Sequence, residues 1–234
     1  MSSFSVKGII ATRWCGTKVM AWFYYLVRAL SWLTLKTLTR YRIRGRENIP
    51  ASGPLLVVSN HLSSADPLLI AASFNRKVMF MAKKELFRSR IIGTFLGAGA
   101  FPVNRGQMSG RAMRQSIELL ASDGILAVFP EGMRSITGRL RPAMPGVAMI
   151  AVRGKASVLP VALTGTERFG RWDWLWCRPA INITIGSPFR IPPQNGKLTK
   201  EKLAELTDDI MGNIATLLPP QYRGHYRKRE TVGT

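Results

Sequence analysis

At 234 residues, with 46% apolar side chains and 21 glycines, the chain is long enough to bury one full core and is not of disordered composition. Its 34 lysines and arginines against 13 acidic residues leave a net charge of +21, a field that draws nucleic acid, anionic lipid headgroups or acidic carriers alike. Cys15 and Cys177 lack metal-ligand spacing and His61 and His225 are the only histidines, which argues against a zinc centre and reads both cysteines as reduced, packed thiols.

The first 46 residues hold nine basic side chains and no acidic one. Within them, Lys18 to Arg40 reads as a long helix. At 100° per residue, Lys18, Arg28, Lys36 and Arg40 share an arc of about 120°. Val19, Met20, Phe23, Leu26, Val27, Leu30 and Leu33 occupy the opposite arc. Trp14, Trp22, Tyr24, Tyr25 and Trp32 add aromatics suited to a headgroup boundary. A spanning helix needs about 20 apolar residues, and Arg28 interrupts this run. The expectation is that residues 1–40 form a helix or helical hairpin lying in the membrane interface, cationic face toward anionic lipid. Lys18, Trp22, Phe23, Arg28, Trp32 and Lys36 would make that contact. The competing reading docks the helix on the protein's own core. A nucleic-acid arm fits worse, because so apolar a face would lack a partner. The segment before Lys18 has no sustained apolar core or small-residue cleavage site, which points to the cytoplasm or the cytosolic face of a membrane.

Residues 41–221 read as one α/β domain with a mixed, largely parallel sheet flanked by helices, and residues 222–234 as a loose, basic tail. Expected strands are Tyr41–Arg44 at an edge, Leu55–Val58 at the centre, Val78–Ala82, Ala100–Val103, Ile125–Phe129, Ser157–Leu163 and Ile181–Ile185. Expected helices are Pro67–Ser73, a stretch after Lys83-Lys84 to about Leu96, Ser109–Ser122, Pro145–Ala151, and Thr199–Leu217 capped by Thr199. Trp172, Trp174 and Trp176 read either as a second interfacial contact or as a core edge.

Four stretches at expected strand ends carry the candidate chemistry, where open α/β sheets place their sites. In the first, Asn60-His61 follows the central strand and Asp66-Pro67 opens a helix. Five helical positions separate two side chains by about 140°, so His61 and Asp66 meet only if the histidine lies on the loop. That pairing is a general base with an orienting acid. Alternatively, Asp66 before Pro67 is a helix N-cap. The second stretch is Phe101-Pro102-Val103-Asn104-Arg105, and the third is Phe129-Pro130-Glu131-Gly132-Met133-Arg134-Ser135. The fourth is the apolar Leu159-Pro160-Val161. Arg105 and Arg134 could fork around a phosphate, and Gly132 permits close backbone approach. Alone, each also reads as a solvated loop arginine or an ordinary turn.

In this order the four stretches resemble the blocks of the glycerolipid acyltransferase family, typified by bacterial 1-acylglycerol-3-phosphate acyltransferases. N-H-x-x-x-x-D is matched by Asn60, His61 and Asp66, and F-P-E-G-T-R-S by Phe129 to Ser135, with Met133 in place of threonine. The likeness spans roughly Arg44 to Pro192. Ala143-Met144-Pro145-Gly146 lacks the lysines that many relatives carry there.

The resemblance implies an enzyme moving a fatty acyl group from acyl-CoA or acyl carrier protein to the free hydroxyl of 1-acylglycerol 3-phosphate, without a cofactor or metal. His61 would be the base and Asp66 its partner. Arg105, Glu131, Gly132 and Arg134, with Lys83 beside them, would bind the acceptor's phosphate. Anionic lipid, lysophosphatidic acid and the thioester are the implied partners, and the cytoplasmic face of the membrane the implied location. Glycerol 3-phosphate or another lysolipid is the alternative acceptor. A basic nucleic-acid-binding protein, supported by charge alone, is the alternative class.

Overall fold

The computed structural model describes residues 18–88, 96, 99–103, 109–170, 176, 178–194, 196 and 198–227. Its strands are β1 (Arg40–Arg44), β2 (Leu55–Ser59), β3 (Val78–Lys83), β4 (Ala100–Val103), β5 (Ile125–Val128), β6 (Ser157–Thr164) and β7 (Ala180–Ile185). They form one sheet in the order β1-β7-β6-β2-β5-β3-β4. β6, β2, β5, β3 and β4 run parallel. β7 is antiparallel to β6, and β1 parallel to β7. The mixed, largely parallel α/β sheet expected from the sequence is therefore present, with β1 at an edge and β2 at the centre.

β2 shows why. All four residues Leu55, Leu56, Val57 and Val58 are fully buried, as a continuous apolar run between two helical layers should be. Alternation sends Leu56 and Val58 to one core and Leu55 and Val57 to the other. Each such side chain contributes about 1.5–3 kcal/mol of burial.

The first core lies under α3 (Gly110–Ala121), α4 (Gly146–Gly154) and α5 (Lys200–Leu217). Ser109 caps α3 by accepting the Ala112 N–H, and Thr199 caps α5 by accepting that of Lys202, each at 3.2 Å. Leu203, Leu206, Ile210, Met211 and Ile214 form the buried stripe of α5 at the three- and four-residue spacing of one helix face.

The second core lies under α1 (Lys18–Leu38) and α2 (Asp66–Ser73). α1 docks through Tyr24 and Leu35, both buried, and the Tyr24 hydroxyl accepts the Val78 N–H at 3.0 Å. So the helix packs on the protein's own core along one side. Its expected apolar arc remains open: Leu26, Leu30 and Leu33 are exposed, as are Trp22, Tyr25 and Trp32. The cationic side is divided. Arg28 turns inward, donating to the Asn75 carbonyl, whereas Lys36 sits over the exposed Trp32 ring at 4.9 Å. Phe23 is half-buried. The Lys18 side chain lies outside the described ones, as do Trp172 and Trp174. Among the described residues no helix is long and apolar enough to cross a membrane.

Two expectations change. After Lys83 a single 3-10 segment, Lys84–Arg88, replaces the expected helical start; most of the stretch to Leu96 lies outside the described residues. Residues 222–227, expected as the start of a loose tail, are packed. Tyr226 is buried, Leu140 N–H donates to the Tyr222 carbonyl at 2.8 Å, and His225 N–H donates to the Leu140 carbonyl at 3.1 Å.

Candidate active site

Because β2, β5, β3 and β4 are parallel neighbours, the chain leaves their carboxyl ends along one edge. The His61 loop follows β2, the Phe129–Ser135 loop follows β5, and Lys83 ends β3. Arg105, which follows β4, lies outside the described residues.

The loop after β2 is fixed residue by residue. Asn60 is buried and both ends of its amide pair with Leu163 of β6: Nδ2 donates to the carbonyl at 2.9 Å, and Oδ1 accepts the N–H at 2.8 Å. The next side chain, His61, comes off the sheet edge with 17% of its surface exposed. Its Nδ1 lies 2.8 Å from Asp66 Oδ2. Asp66 is fully buried and the same oxygen accepts the backbone N–H groups of Leu62 and Ser63, each at 2.7 Å.

This differs from the helix-cap reading. Asp66 is the first residue of α2, and Ala65 holds the cap position without a side-chain bond. Its carboxylate turns back onto the preceding loop instead of forward onto the helix. With the carboxylate accepting, Nδ1 carries the imidazole proton and Nε2 keeps its lone pair.

Phe129 supplies the floor. Its ring stacks on the imidazole at 4.1 Å between centroids and 18° between planes. From there the chain turns through Gly132, which adopts φ 70°, a left-handed conformation that side chains rarely take. A Cβ at this position would lie 2.6 Å from Met144 Cε.

Glu131 is buried, and the structure gives it a different task from phosphate contact. Oε1 accepts the His61 N–H at 3.1 Å and Oε2 accepts the Arg141 N–H at 3.0 Å. Burial pushes its carboxyl up to about 7, against the opposing pull of those two hydrogen bonds. A side chain with both oxygens turned inward braces the loops and cannot face a phosphate.

Ser135 completes the brace. Its N–H donates to the His61 carbonyl at 2.7 Å, and its Oγ donates to the Arg139 carbonyl at 2.6 Å. Neither the Ser135 tie nor the Phe129 stack was visible in the sequence beyond their place in the third stretch. The ties of Glu131 and Ser135 to His61 span about 70 positions, which no local pattern encodes.

Arg134, in contrast, is exposed and has no hydrogen-bond partner among the described residues. It lines a groove of about 830 Å³ whose other walls include Leu30 and Thr34 of α1, Ser64 beside the His61 loop, and Met133. Lys83 is half-exposed, with Nζ 3.7 Å from Glu85 Oε2. It sits two strands away from β2, on the same edge of the sheet.

A further layer supports the braced loop from beneath. The Tyr226 hydroxyl accepts the Ala143 N–H at 3.2 Å, and the Met144 N–H donates to the Pro130 carbonyl at 2.9 Å. The Tyr222 hydroxyl donates to Glu167 at 2.7 Å; burial first, and then this bond, holds that phenol up at about 12.

The chain is 29% identical over 178 residues to the 1-acyl-sn-glycerol-3-phosphate acyltransferase of Bacillus subtilis, covering 75% of this chain and 87% of that one. To the Streptococcus pneumoniae enzyme of the same name it is 34% identical, over 58% of this chain but half the length of the relative. The crystal structure of the 1-acyl-sn-glycerophosphate acyltransferase PlsC from Thermotoga maritima shares the fold, with a TM-score of 0.63 at 24% identity, covering 87% of this chain and 84% of that one. The acyltransferase family model matches residues 40–164, more than half the chain and the whole of the braced site. The chain belongs to the acyltransferase family.

Proposed function

We propose that the protein transfers a fatty acyl group from a thioester, acyl-CoA or acyl carrier protein, to the free hydroxyl of 1-acylglycerol 3-phosphate, giving phosphatidic acid. The observation that carries this reading is the His61–Asp66 pair at 2.8 Å, beside a groove lined by the exposed Arg134. The names of the relatives support the choice of acceptor.

Nε2 of His61 accepts the hydroxyl proton as the oxygen attacks the thioester carbon. Asp66 holds the tautomer and stabilises the imidazolium that forms. As the carbon–sulfur bond breaks, the imidazolium returns that proton to the departing thiolate. One ester bond forms, one thioester bond is lost, and His61 ends neutral. Stacking on Phe129 and the Asp66 bond together leave the ring little rotational freedom, so the base is oriented before substrate arrives.

Arg134 binds the acceptor's phosphate, with Lys83 as a further cation of the same sheet edge, Arg105 as the cation the sequence supplies after β4, and the Gly132 turn allowing close approach. Guanidinium geometry suits a phosphate better than a point charge does. Glu131 acts on the acceptor indirectly, by bracing the loop that carries Arg134. The exposed apolar arc of α1 rests on a membrane surface, where acceptor and product reside, with Trp22, Trp32 and Lys36 at the headgroup level. The net charge of +21 favours both anionic lipid and anionic donors.

The test is release of free thiol from acyl-CoA by the purified full chain, with the lipid product identified by mass. Lysophosphatidic acid is expected to stimulate release and to yield phosphatidic acid. Stimulation by glycerol 3-phosphate alone would reassign the acceptor, and thiol release independent of any acceptor would reassign the reaction to hydrolysis.

A further inference from the structure

The loop carrying Arg134 has a feature that phosphate binding does not use. Ile136 is 98% exposed, the most open large apolar side chain among the described residues, and Met133 is 39% exposed. A single exposed isoleucine is unremarkable on a mobile surface, but this one is held out on a pinned turn. Ser135 is buried and its Oγ closes the stem onto the Arg139 carbonyl. Gly138 takes φ 74° at the turn, and the Ser135 N–H anchors the whole excursion to the His61 carbonyl. The tip is therefore presented at a set distance from the imidazole.

Its surroundings identify the partner. Arg134, Arg139 and Arg141 are all exposed around the tip, and no acidic residue lies between Glu131 and Arg153 in the sequence. An apolar point flanked in sequence by exposed arginines, with Glu167 the one acidic side chain lining the adjoining groove among the described residues, complements an anionic bilayer, whose headgroups take the cations while the side chain reaches the acyl boundary. Ile136 and Met133 line the same groove as Leu30 of α1. They and the helix whose apolar arc is exposed border one groove.

We propose that the Met133–Arg139 loop is a second bilayer contact, distinct from α1, with Ile136 entering the apolar boundary of an anionic membrane. This rests on the membrane-surface reading of α1 and extends it. With both elements on lipid, the groove opens into the bilayer, and a lysolipid enters without crossing water. The Ser135–His61 tie then sets the height of the base above the surface.

The experiment is co-sedimentation of the full chain with phosphatidylcholine vesicles containing phosphatidylglycerol, comparing wild type, Ile136→Ala and Ile136→Asp. Ile136→Asp removes the apolar contact and adds a charge repelled by the surface. We expect its partition coefficient to fall about ten- to a hundredfold, Ile136→Ala to fall between the two, and thermal stability to remain that of wild type. The side chain packs against nothing, so the fold is not at risk. Equal partitioning of Ile136→Asp and wild type overturns the proposal. So does a loss equally large on vesicles and on a protein partner captured in their absence, since the contact would then be with protein. The assay needs no turnover: if no acyl transfer is found, the function proposed above fails while this measurement still decides the contact.

Discussion

The carboxylate of Glu131 accepts the backbone N–H of His61 at 3.1 Å through one oxygen and that of Arg141 at 3.0 Å through the other. One buried side chain thus ties the loop bearing His61 to both ends of the loop bearing Arg134. Deleting it leaves two part-buried N–H groups without their partner, at up to about 1–3 kcal/mol each. Glu131→Ala is expected to lower Tm by several degrees and to cut kcat ten- to a hundredfold, with a rise in acceptor KM because Arg134 loses its bracing. Steady-state kinetics against acceptor and donor separately check this; a variant with both constants normal would remove Glu131 from the site's support.

The same residue predicts a pH dependence of stability. Its carboxyl titrates at about 7 when folded against an ordinary 4.5, so the native state holds a proton that the unfolded state has released. The contribution is fully present below about 4.5 and is lost as pH rises through about 7, a swing on the order of 3 kcal/mol. Glu131→Gln removes the ionisation and adds a constant cost from its misplaced amide hydrogens. Denaturant melts of both proteins between pH 5 and 8 are expected to show the variant gaining on wild type as pH rises. Parallel stability curves would contradict the assignment.

Asp66→Asn tests the tautomer. The amide can still accept one N–H, but its own hydrogens oppose Nδ1–H and favour the tautomer in which Nε2 is protonated and unable to accept. A kcat loss of about 10²–10⁴ is expected, larger than any change in KM. Loss confined to KM would place Asp66 outside the chemistry.

Gly132→Ala probes the turn. A methyl group at φ 70°, 2.6 Å from Met144 Cε, costs about 1–2 kcal/mol from backbone strain alone, or roughly 2–8 °C in Tm for a chain of this size. The methionine end can move and the backbone cannot, so Gly132→Ala with Met144→Ala should recover little of the loss. Full recovery would mean that the contact, rather than the dihedral, demands glycine.

The sheet and the contact between His61 and Asp66 were legible because both rest on local patterns. Leu55–Val58 is an unbroken apolar run, and a histidine on a loop before an aspartate at a helix start can reach it. What stayed hidden depends on distant partners. The Asp66 carboxylate was open to a cap reading until the Leu62 and Ser63 N–H groups claimed it. The family resemblance placed Glu131 among the phosphate ligands, and its inward turn follows from the N–H groups of His61 and of Arg141, ten residues on. α1 buries Tyr24 and Leu35 and leaves its richest apolar arc outside, an arrangement that helical periodicity alone would reverse. The packed 222–227 segment had a weak signal, two tyrosines in an otherwise basic stretch. A Cβ at Gly224 would lie 2.3 Å from the Leu140 carbonyl oxygen, which shows how closely that segment lies under the loop.

The central claim is that the His61 imidazole removes the proton from the attacking hydroxyl. Single-turnover thiol release by His61→Ala, with lysophosphatidic acid saturating, tests it most directly. Because the ring is partly exposed and makes one side-chain hydrogen bond, the variant is expected to keep vesicle binding and most of its thermal stability while losing at least three orders of magnitude in rate. A folded His61→Ala protein that turns over within tenfold of wild type would contradict the account.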